Sequence, residues 1–414
     1  MATKQAAQSD SYKWVMLLAY VLMSLGIWTS WFAQAPLLHV YWEPVMHVSL
    51  ATGGLLLSLP GLVAIAMAVT TGRWVDTVGV RKMMILSGIL ASIGFGLRPF
   101  FIDSFVANAA LTVVAGYGVC ILTACLPSTM IQWFGHEKGH TFIGIGAGSY
   151  FMAAGIGILG TANLFPVLGA KGALTVWSCV IVAVTVIWTL IAKDKTGLPH
   201  HERAPFVAEA KKIMQTPSAW LMLVYAIFIS GMTVAVMHLL PGEMIVARHL
   251  PPPMAGTVVG IFAIGMGVGL AILPAFAGGV GVKKMSIILC VLTLLVWVAY
   301  MVLPTWTPST LLLFAVVFGF FFEAPWATGL ALMESMPGVT PANIGVAAGL
   351  WTMFVNVGVF FLPLICGGIV ENTGGSGASG LLWTILIGYG LGLLAVLPVR
   401  DSRAEAAKAK AGAA

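Results

Sequence analysis

Twelve apolar runs, each long enough to cross a lipid bilayer as a helix, constrain the fold of this chain more than any other feature. A helix needs about 20 apolar residues to span the hydrocarbon core. The runs are continuous and lack the short alternating pattern of membrane barrels. The predicted spans are 14–38, 48–70, 83–102, 107–131, 142–166, 172–192, 219–240, 254–277, 285–303, 309–333, 344–368 and 380–398. We therefore predict an all-α membrane protein with twelve transmembrane helices.

The low charge of the chain supports this class. Only 8% of the residues are charged and 59% are hydrophobic, whereas soluble proteins carry about 25% charged residues. The lipid bilayer is thus a predicted partner. The formal net charge of +6 does not indicate nucleic acid, because the position of the basic residues accounts for it better.

The distribution of Lys and Arg predicts the orientation. With a cytoplasmic N-terminus, 17 of the 20 Lys and Arg residues lie in inner segments. Lys171 and Arg248 lie outside, and Arg98 lies within a span. This asymmetry follows the positive-inside rule. It predicts a multi-pass protein of the cell membrane (the inner membrane in a bacterium), with both termini cytoplasmic.

A polar linker divides the chain into two halves of six helices. The predicted parts are an N-terminal half at 1–192, a cytoplasmic linker at 193–218, a C-terminal half at 219–400 and a cytoplasmic tail at 401–414.

The halves also resemble each other. Gly79–Met83 recurs as Gly281–Met285, 202 residues later, and a weaker echo relates Ala147–Gly157 to Ala348–Gly358. We predict two pseudo-symmetric halves with a site between them, as in transporters built from parallel repeats.

The segment Gly72–Lys82 carries the clearest motif. It resembles the G-x-x-x-D-x-x-G-x-R-K loop between the second and third helices of the major facilitator superfamily. The resemblance covers nearly the whole chain and implies a conformational gate at Gly72, Asp76, Gly79 and Arg81. Asp76 could cap a neighbouring helix or pair with a cation. In the second copy Gly278 replaces Asp76, so the implied gate is one-sided.

Several segments are similar to the small-anion branches of that family, which carry cyanate, nitrate or nitrite, oxalate or formate, and monocarboxylates. They are Gly96–Arg98, Leu126–Pro127 and Gln132–Phe134. Thr112 stands where drug/proton antiporters carry Arg, which counts against multidrug export. The arginines and other cations that nitrate and oxalate carriers place in helices 2, 8 and 11 are missing from those predicted spans. The substrate branch therefore stays open.

Glu323 is the most informative charge. Of the Lys, Arg, Asp and Glu residues, only Glu323 and Arg98 fall within the predicted spans, and a charge at that depth is expensive. Pro325 follows two residues later and predicts a kink with a free carbonyl group. Two interpretations fit: an acid that couples protons or contacts substrate, and a protonated Glu that is hydrogen-bonded for structure.

Arg98 and several uncharged residues complete the predicted site. Arg98 near a helix end fits either a side chain that snorkels to the interface or one that attracts anions. His39 and His238 are expected at the interface. The predicted cavity-lining residues are Trp31, Gln34, Tyr117, Trp351 and Asn356.

These features predict a secondary transporter that works by alternating access on a small-molecule substrate. We expect proton-coupled symport of a small organic or inorganic anion; the alternative is a facilitator or exporter of a neutral or cationic metabolite. A membrane enzyme or receptor is disfavoured, since no phosphate-binding glycine loop or nucleophile constellation is present. The five cysteines and the scattered histidines predict no metal and no cofactor. We expect a monomer.

Overall fold

The computed structural model describes residues 2–195, 206–303, 306–340, 343–375 and 379–400. All regular elements in these ranges are helical. The predicted tail and much of the predicted linker lie outside the described residues.

In chain order the α-helices are α1 (Ala2–Phe32), α2 (Gln34–Leu37), α3 (Leu50–Gly53), α4 (Leu55–Val78), α5 (Val80–Gly94), α6 (Phe105–Ile191), α7 (Phe206–Ile213), α8 (Pro217–Val246), α9 (Pro252–Ile272), α10 (Ala277–Val280), α11 (Val282–Val302), α12 (Pro308–Phe322), α13 (Ala324–Met333), α14 (Ile344–Asn372) and α15 (Gly380–Val396). A π-helical turn spans Leu38–Trp42, and 3₁₀ turns span Arg98–Phe101 and Leu273–Phe276.

Ten helical stretches of the described residues are long and apolar enough to cross a membrane. Gly380–Val396 is a further apolar helix of shorter length. The ten stretches are Ser11–Trp42, Leu55–Val78, Val80–Phe101, Phe105–Gly135, Thr141–Ile191, Pro217–Val246, Pro252–Val280, Val282–Val302, Pro308–Met333 and Ile344–Asn372. The predicted all-α membrane class is confirmed.

The stretch Thr141–Ile191 is too long for a single crossing. Its 51 residues would extend about 77 Å as one straight helix, at 1.5 Å per residue, against a hydrocarbon core of about 30 Å. Gly169 interrupts it with φ 66° and ψ −179°. The break falls between the fifth and sixth predicted spans.

The two ends of the helix bundle are named here after residues that mark them. The Leu50 end carries α3, and the Gly79 end carries the turn from α4 into α5. Gly79 and Gly281 have φ values of 95° and 93°, which residues with a Cβ rarely adopt. Each glycine directly precedes a helix, so the two copies of the sequence repeat form the same turn.

Two seams join the N-terminal and C-terminal parts of the chain. In one seam, Gly148 lies against Gly267 and Gly155 against Gly260, which brings the backbones of α6 and α9 close together. In the other, Gly61 of α4 lies against the backbone of Asn356 in α14. A site between the halves would therefore be flanked by these two helix pairs.

Candidate functional site

Glu323 lies at a break between two helices in the apolar interior. α12 ends at Phe322 and α13 begins at Ala324, with Glu323 at φ −96° and ψ −16° between them. Its side chain is buried, at 2% exposure. Pro325 is the second residue of α13 and cannot donate a backbone hydrogen bond there. The kink that the sequence predicts is thus present, and the carboxyl group sits within it.

Thr233 of α8 is the hydrogen-bond partner of Glu323. Its Oγ1 lies 2.6 Å from Glu323 Oε2 and also 2.9 Å from the carbonyl oxygen of Ile229. A hydroxyl group has only one proton to donate. Both contacts become hydrogen bonds when the carboxyl group is protonated, because Glu323 then donates to Thr233 and Thr233 donates to Ile229. With Glu323 ionised, Thr233 donates to the carboxylate, and the Ile229 carbonyl still has its backbone hydrogen bond within α8. Thr233 can therefore satisfy Glu323 in either protonation state.

Two tyrosines hold the helix break from outside. Tyr389 of α15 donates to the carbonyl oxygen of Phe322 at 2.7 Å, and Tyr225 of α8 donates to that of Pro325 at 3.2 Å. Thr328 also donates to the Pro325 carbonyl at 3.2 Å. The Phe322 carbonyl, at the end of α12, thus has a partner from another helix, and the position of Glu323 is fixed by α8 and α15.

Trp351 joins this region, whereas Asn356 lies at the seam. The Trp351 ring is 6.1 Å from the ring of Tyr225, and its buried indole nitrogen has no hydrogen-bond partner among the described residues. Asn356 is half-buried and donates to the carbonyl oxygen of Thr352 in its own helix at 2.8 Å.

Trp31, Gln34 and Tyr117 belong to the N-terminal part. Trp31 donates to the carbonyl oxygen of Leu57 at 3.1 Å, and the Gln34 carbonyl accepts from Trp42 at 2.9 Å. Within the described chain, the Gln34 amide nitrogen and the Tyr117 hydroxyl are buried without partners. Unpaired buried groups need an explanation, and a bound solute or water would supply one.

Arg98 does not snorkel, so that interpretation is wrong. Its side chain is 0% exposed and donates to the carbonyl oxygen of Ser30 at 3.2 Å and to Thr112 Oγ1 at 2.6 Å. The guanidinium carbon lies 4.3 Å from the centre of the Phe95 ring. The cation is therefore held among α1, the turn after α5, and α6, inside the N-terminal part.

Sequence reasoning missed a second buried acid, Glu243. The predicted span ends at residue 240, but α8 continues to Val246. Tyr300 donates to Glu243 at 2.5 Å, Arg248 donates to it at 3.2 Å, and the Arg248 guanidinium lies 3.9 Å from the Tyr300 ring centre. The sequence offered one signal for this ion pair, which is the short spacing between Glu243 and Arg248. Pro241 hid that signal, because a proline predicts that the helix ends before it reaches Glu243. The acid is paired, which favours a structural role.

His39 and His238 form a contact between the two parts of the chain. His39 Nε2 lies 3.0 Å from the carbonyl oxygen of His238, and His238 Nε2 lies 3.4 Å from that of Leu50. Nearby, Glu371 of α14 accepts from the backbone nitrogen of Ala51 at 3.0 Å. These contacts close the Leu50 end.

The predicted gate residues surround the turn at the Gly79 end. Gly72 and Asp76 lie half-buried on the last two turns of α4. The carboxylate of Asp194 lies at the start of α5, where it accepts from the backbone nitrogen of Arg81 at 2.9 Å. The Arg81 side chain reaches the carbonyl oxygen of Thr189 at 3.3 Å.

The second copy of the turn is held in the same place by different chemistry. Lys283, the counterpart of Arg81, donates from Nζ to the carbonyl oxygen of Leu397 at 2.7 Å. In each part, the helix after the glycine turn is thereby fastened to the end of that part's last long helix. We refer to these two contacts as the Asp194 clasp and the Leu397 clasp.

Fold and site define a multi-pass membrane protein with buried polar groups inside each of two helical parts and a histidine contact between them. The family model of the Major Facilitator Superfamily matches residues 16–251, which is more than half of the chain. The chain therefore belongs to the Major Facilitator Superfamily of transporters.

Two curated relatives agree with this family. The MFS transporter asaE of Aspergillus flavus is 23% identical over 381 residues, covering 86% of this chain and 80% of the relative. The cyanate transport protein CynX of Escherichia coli is 22% identical over 299 residues, covering 71% of this chain and 74% of the relative.

Solved transporter structures share the fold. A bacterial homologue of the human lysosomal transporter Spinster, in an inward-facing and unoccupied conformation, has a TM-score of 0.73 at 14% identity and covers 93% of this chain and 97% of its own. The nucleoside transporter NupG has a TM-score of 0.68 at 15% identity, covering 92% and 97%.

Proposed function

We propose that this protein is a proton-coupled secondary transporter of a small organic or inorganic anion. It works by alternating access between two six-helix halves, 1–192 and 219–400, joined by a cytoplasmic linker. The break at Gly169 and the short helix Gly380–Val396 supply the two spans that complete twelve. The Gly79 end is cytoplasmic and the Leu50 end is external, in accord with the basic inner segments.

The observation that carries the proposal is the position of the buried Glu323 carboxyl group, at a helix break and 2.6 Å from Thr233 Oγ1. A buried carboxyl group at a helix break can take up a proton in one conformation and release it in another when solvent access changes. In the protonated state, Glu323 carries the proton and donates a hydrogen bond to Thr233. Gly72, Asp76, Gly79 and Arg81 form the inner gate, and Trp31, Gln34, Tyr117, Trp351 and Asn356 line the path of the substrate.

A small anion is the first candidate substrate because one relative, CynX, is a cyanate transport protein and because several segments resemble the small-anion branches. The second candidate is a neutral or cationic metabolite. Arg98 favours that candidate, because this buried cation is already hydrogen-bonded to Ser30 and Thr112 inside the N-terminal half instead of facing an anionic substrate.

Replacing Glu323 with Gln tests the coupling role. We expect E323Q to abolish accumulation driven by a pH gradient but to preserve exchange of labelled solute, because exchange needs no net proton movement. Uptake into proteoliposomes should be measured for cyanate, nitrite, formate, a monocarboxylate and an amine. The control is E371Q, in which the amide oxygen can still accept from the Ala51 nitrogen.

Each result has a distinct meaning. Accumulation by E323Q at the wild-type level would overturn the coupling role. Loss of both accumulation and exchange of a cationic solute would favour direct binding of that cation by the acid. If wild-type protein transports the anions without responding to a pH gradient, it is not a proton symporter.

A further inference from the structure

The contact between His39 and His238 at the Leu50 end determines which ring nitrogen of each histidine carries a proton. His39 lies in the π-helical turn of the N-terminal half, and His238 lies in α8 of the C-terminal half. Both Nε2 atoms face carbonyl oxygens of the opposite half, at 3.0 Å and 3.4 Å. A carbonyl oxygen only accepts, so both Nε2 atoms carry a proton. The charge of each ring is then decided at Nδ1.

The two Nδ1 atoms have different surroundings. That of His39 lies 3.5 Å from Glu43 Oε2, where a proton would form an ion pair with the carboxylate. That of His238 is buried and has no partner among the described residues. Of the two imidazoles in this contact, that of His39 has a carboxylate beside its Nδ1, whereas that of His238 has no acceptor there in the described chain and is neutral.

Few other charges are close enough to alter this balance. Glu371 accepts from the Ala51 backbone, and Glu243 is already paired with Arg248. His47, in the loop before α3, is exposed. The described residues of α3 and α4 that pack here contribute no titratable side chain before Arg73, which lies at the Gly79 end.

We propose that His238 is a proton-binding site whose occupation opens the Leu50 end. A proton on His238 Nδ1 would place a cation next to the His39 ring, in a buried position without an acceptor, which is costly. Separation of the halves relieves that cost, because water then reaches both rings. The inference rests on the proposed alternating access and adds to it the group that senses external protons.

Gly242 provides a way to disturb the contact without changing a titratable group. The His39 ring lies directly against it, so that a Cβ at this position would lie 2.5 Å from His39 Nδ1. The G242A variant must displace the ring. Its Leu50 end should open irrespective of pH.

Distances between spin labels measure the opening directly. One pair is placed at Val45 and Val246, which are exposed on the two halves at the Leu50 end. A second pair at Val78 and Val280 reports on the Gly79 end. Cys179, the exposed native cysteine, is replaced by Ser. The labelled full chain is studied in lipid nanodiscs without solute, between about pH 8 and about pH 5, the range in which histidine titrates.

We expect acid to add a longer component to the Val45–Val246 distance and to shorten the Val78–Val280 distance. H238Q should remain closed at both pH values, because the Gln amide can donate to Leu50 but binds no proton. G242A should show the long component throughout. If H238Q does not fold, H39Q serves instead: it can still donate to the His238 carbonyl but lacks the imidazole ring beside His238, so acid should open it less.

Two results would overturn the proposal: a wild-type distance that does not change with pH, or an acid-induced change that persists fully in H238Q. The measurement uses no solute and is independent of transport. A pH-dependent opening in a protein that accumulates none of the tested solutes would leave His238 as a proton site and refute the proposed function instead.

Discussion

At the scale of single residues, the Thr233 hydroxyl is the hydrogen-bond partner on which Glu323 depends. With Glu323 ionised, Thr233 donates to the carboxylate, and the Ile229 carbonyl keeps its backbone hydrogen bond within α8. A buried acceptor without enough donors costs about 1–3 kcal/mol, and more when it is charged. Release of the proton thus requires water or a movement of α8 relative to the break.

Substitutions at Thr233 should separate these effects. In T233V the hydroxyl is absent, so Glu323 loses its partner and we expect proton-driven accumulation to fall by at least tenfold. T233S retains the hydroxyl and should retain most of the rate. Initial uptake rates in proteoliposomes, normalised to the protein inserted, measure both. Equal activity of T233V and T233S would exclude Thr233 from the coupling step.

Glu323 could be predicted from sequence because a charge stands out in an apolar run and Pro325 marks its kink. Glu243, Asp194 and the His39–His238 contact could not. Glu243 lies where the apolar run weakens, and the partners of the others are about 110 to 200 residues away in the chain. Hydropathy places a residue at a depth in the membrane, but contacts between distant helices depend on how the helices pack.

At the scale of the helical elements, the break between α12 and α13 depends on hydroxyl donors from other helices. The Phe322 carbonyl accepts from Tyr389, whereas the Pro325 carbonyl accepts from both Tyr225 and Thr328. The two tyrosines are therefore not equivalent: removal of one donor leaves a carbonyl unpaired in the first case and still paired in the second.

The comparison of Y389F with Y225F tests this difference. We expect Y389F to lower the free energy of unfolding by about 1–3 kcal/mol, the cost of a buried carbonyl without a partner, and Y225F to lower it less. Thermal unfolding in detergent, followed by tryptophan fluorescence, ranks the variants. A Y225F protein less stable than Y389F would contradict the assigned donors.

Most of the helical elements were predictable, since continuous apolar runs fix the spans, and Gly79 and Gly281 mark the turns. The C-terminal end of α8 was harder to predict. Pro241 is a helix breaker by its chemistry, yet α8 continues past it to Val246. Packing of the surrounding residues, all buried from Ile229 to Met244, outweighs the lost backbone hydrogen bond.

At the scale of the whole molecule, the position of the basic residues predicts the orientation in the bilayer. Lys195 follows the last long helix of the N-terminal half, and Lys171 follows the break at Gly169. If the proposed topology holds, these residues lie on opposite sides of the membrane.

Single cysteines at Lys195 and Lys171 should therefore react with a membrane-impermeant maleimide from opposite sides. In intact cells the cysteine at 171 should label and that at 195 should not, whereas inside-out vesicles should give the reverse. A version with Cys179 replaced provides the background. Labelling of both positions from one side would refute the twelve-helix arrangement with cytoplasmic termini.

The two clasps have a consequence for how the protein is made. The Asp194 clasp fastens the start of α5 to a residue synthesised about 110 positions later, and the Leu397 clasp does the same for α11. During translation, each clasp can form only after the later of its two partners has left the ribosome. The Asp194 clasp can form while the C-terminal part is still unmade, so we expect the N-terminal part to complete its packing first.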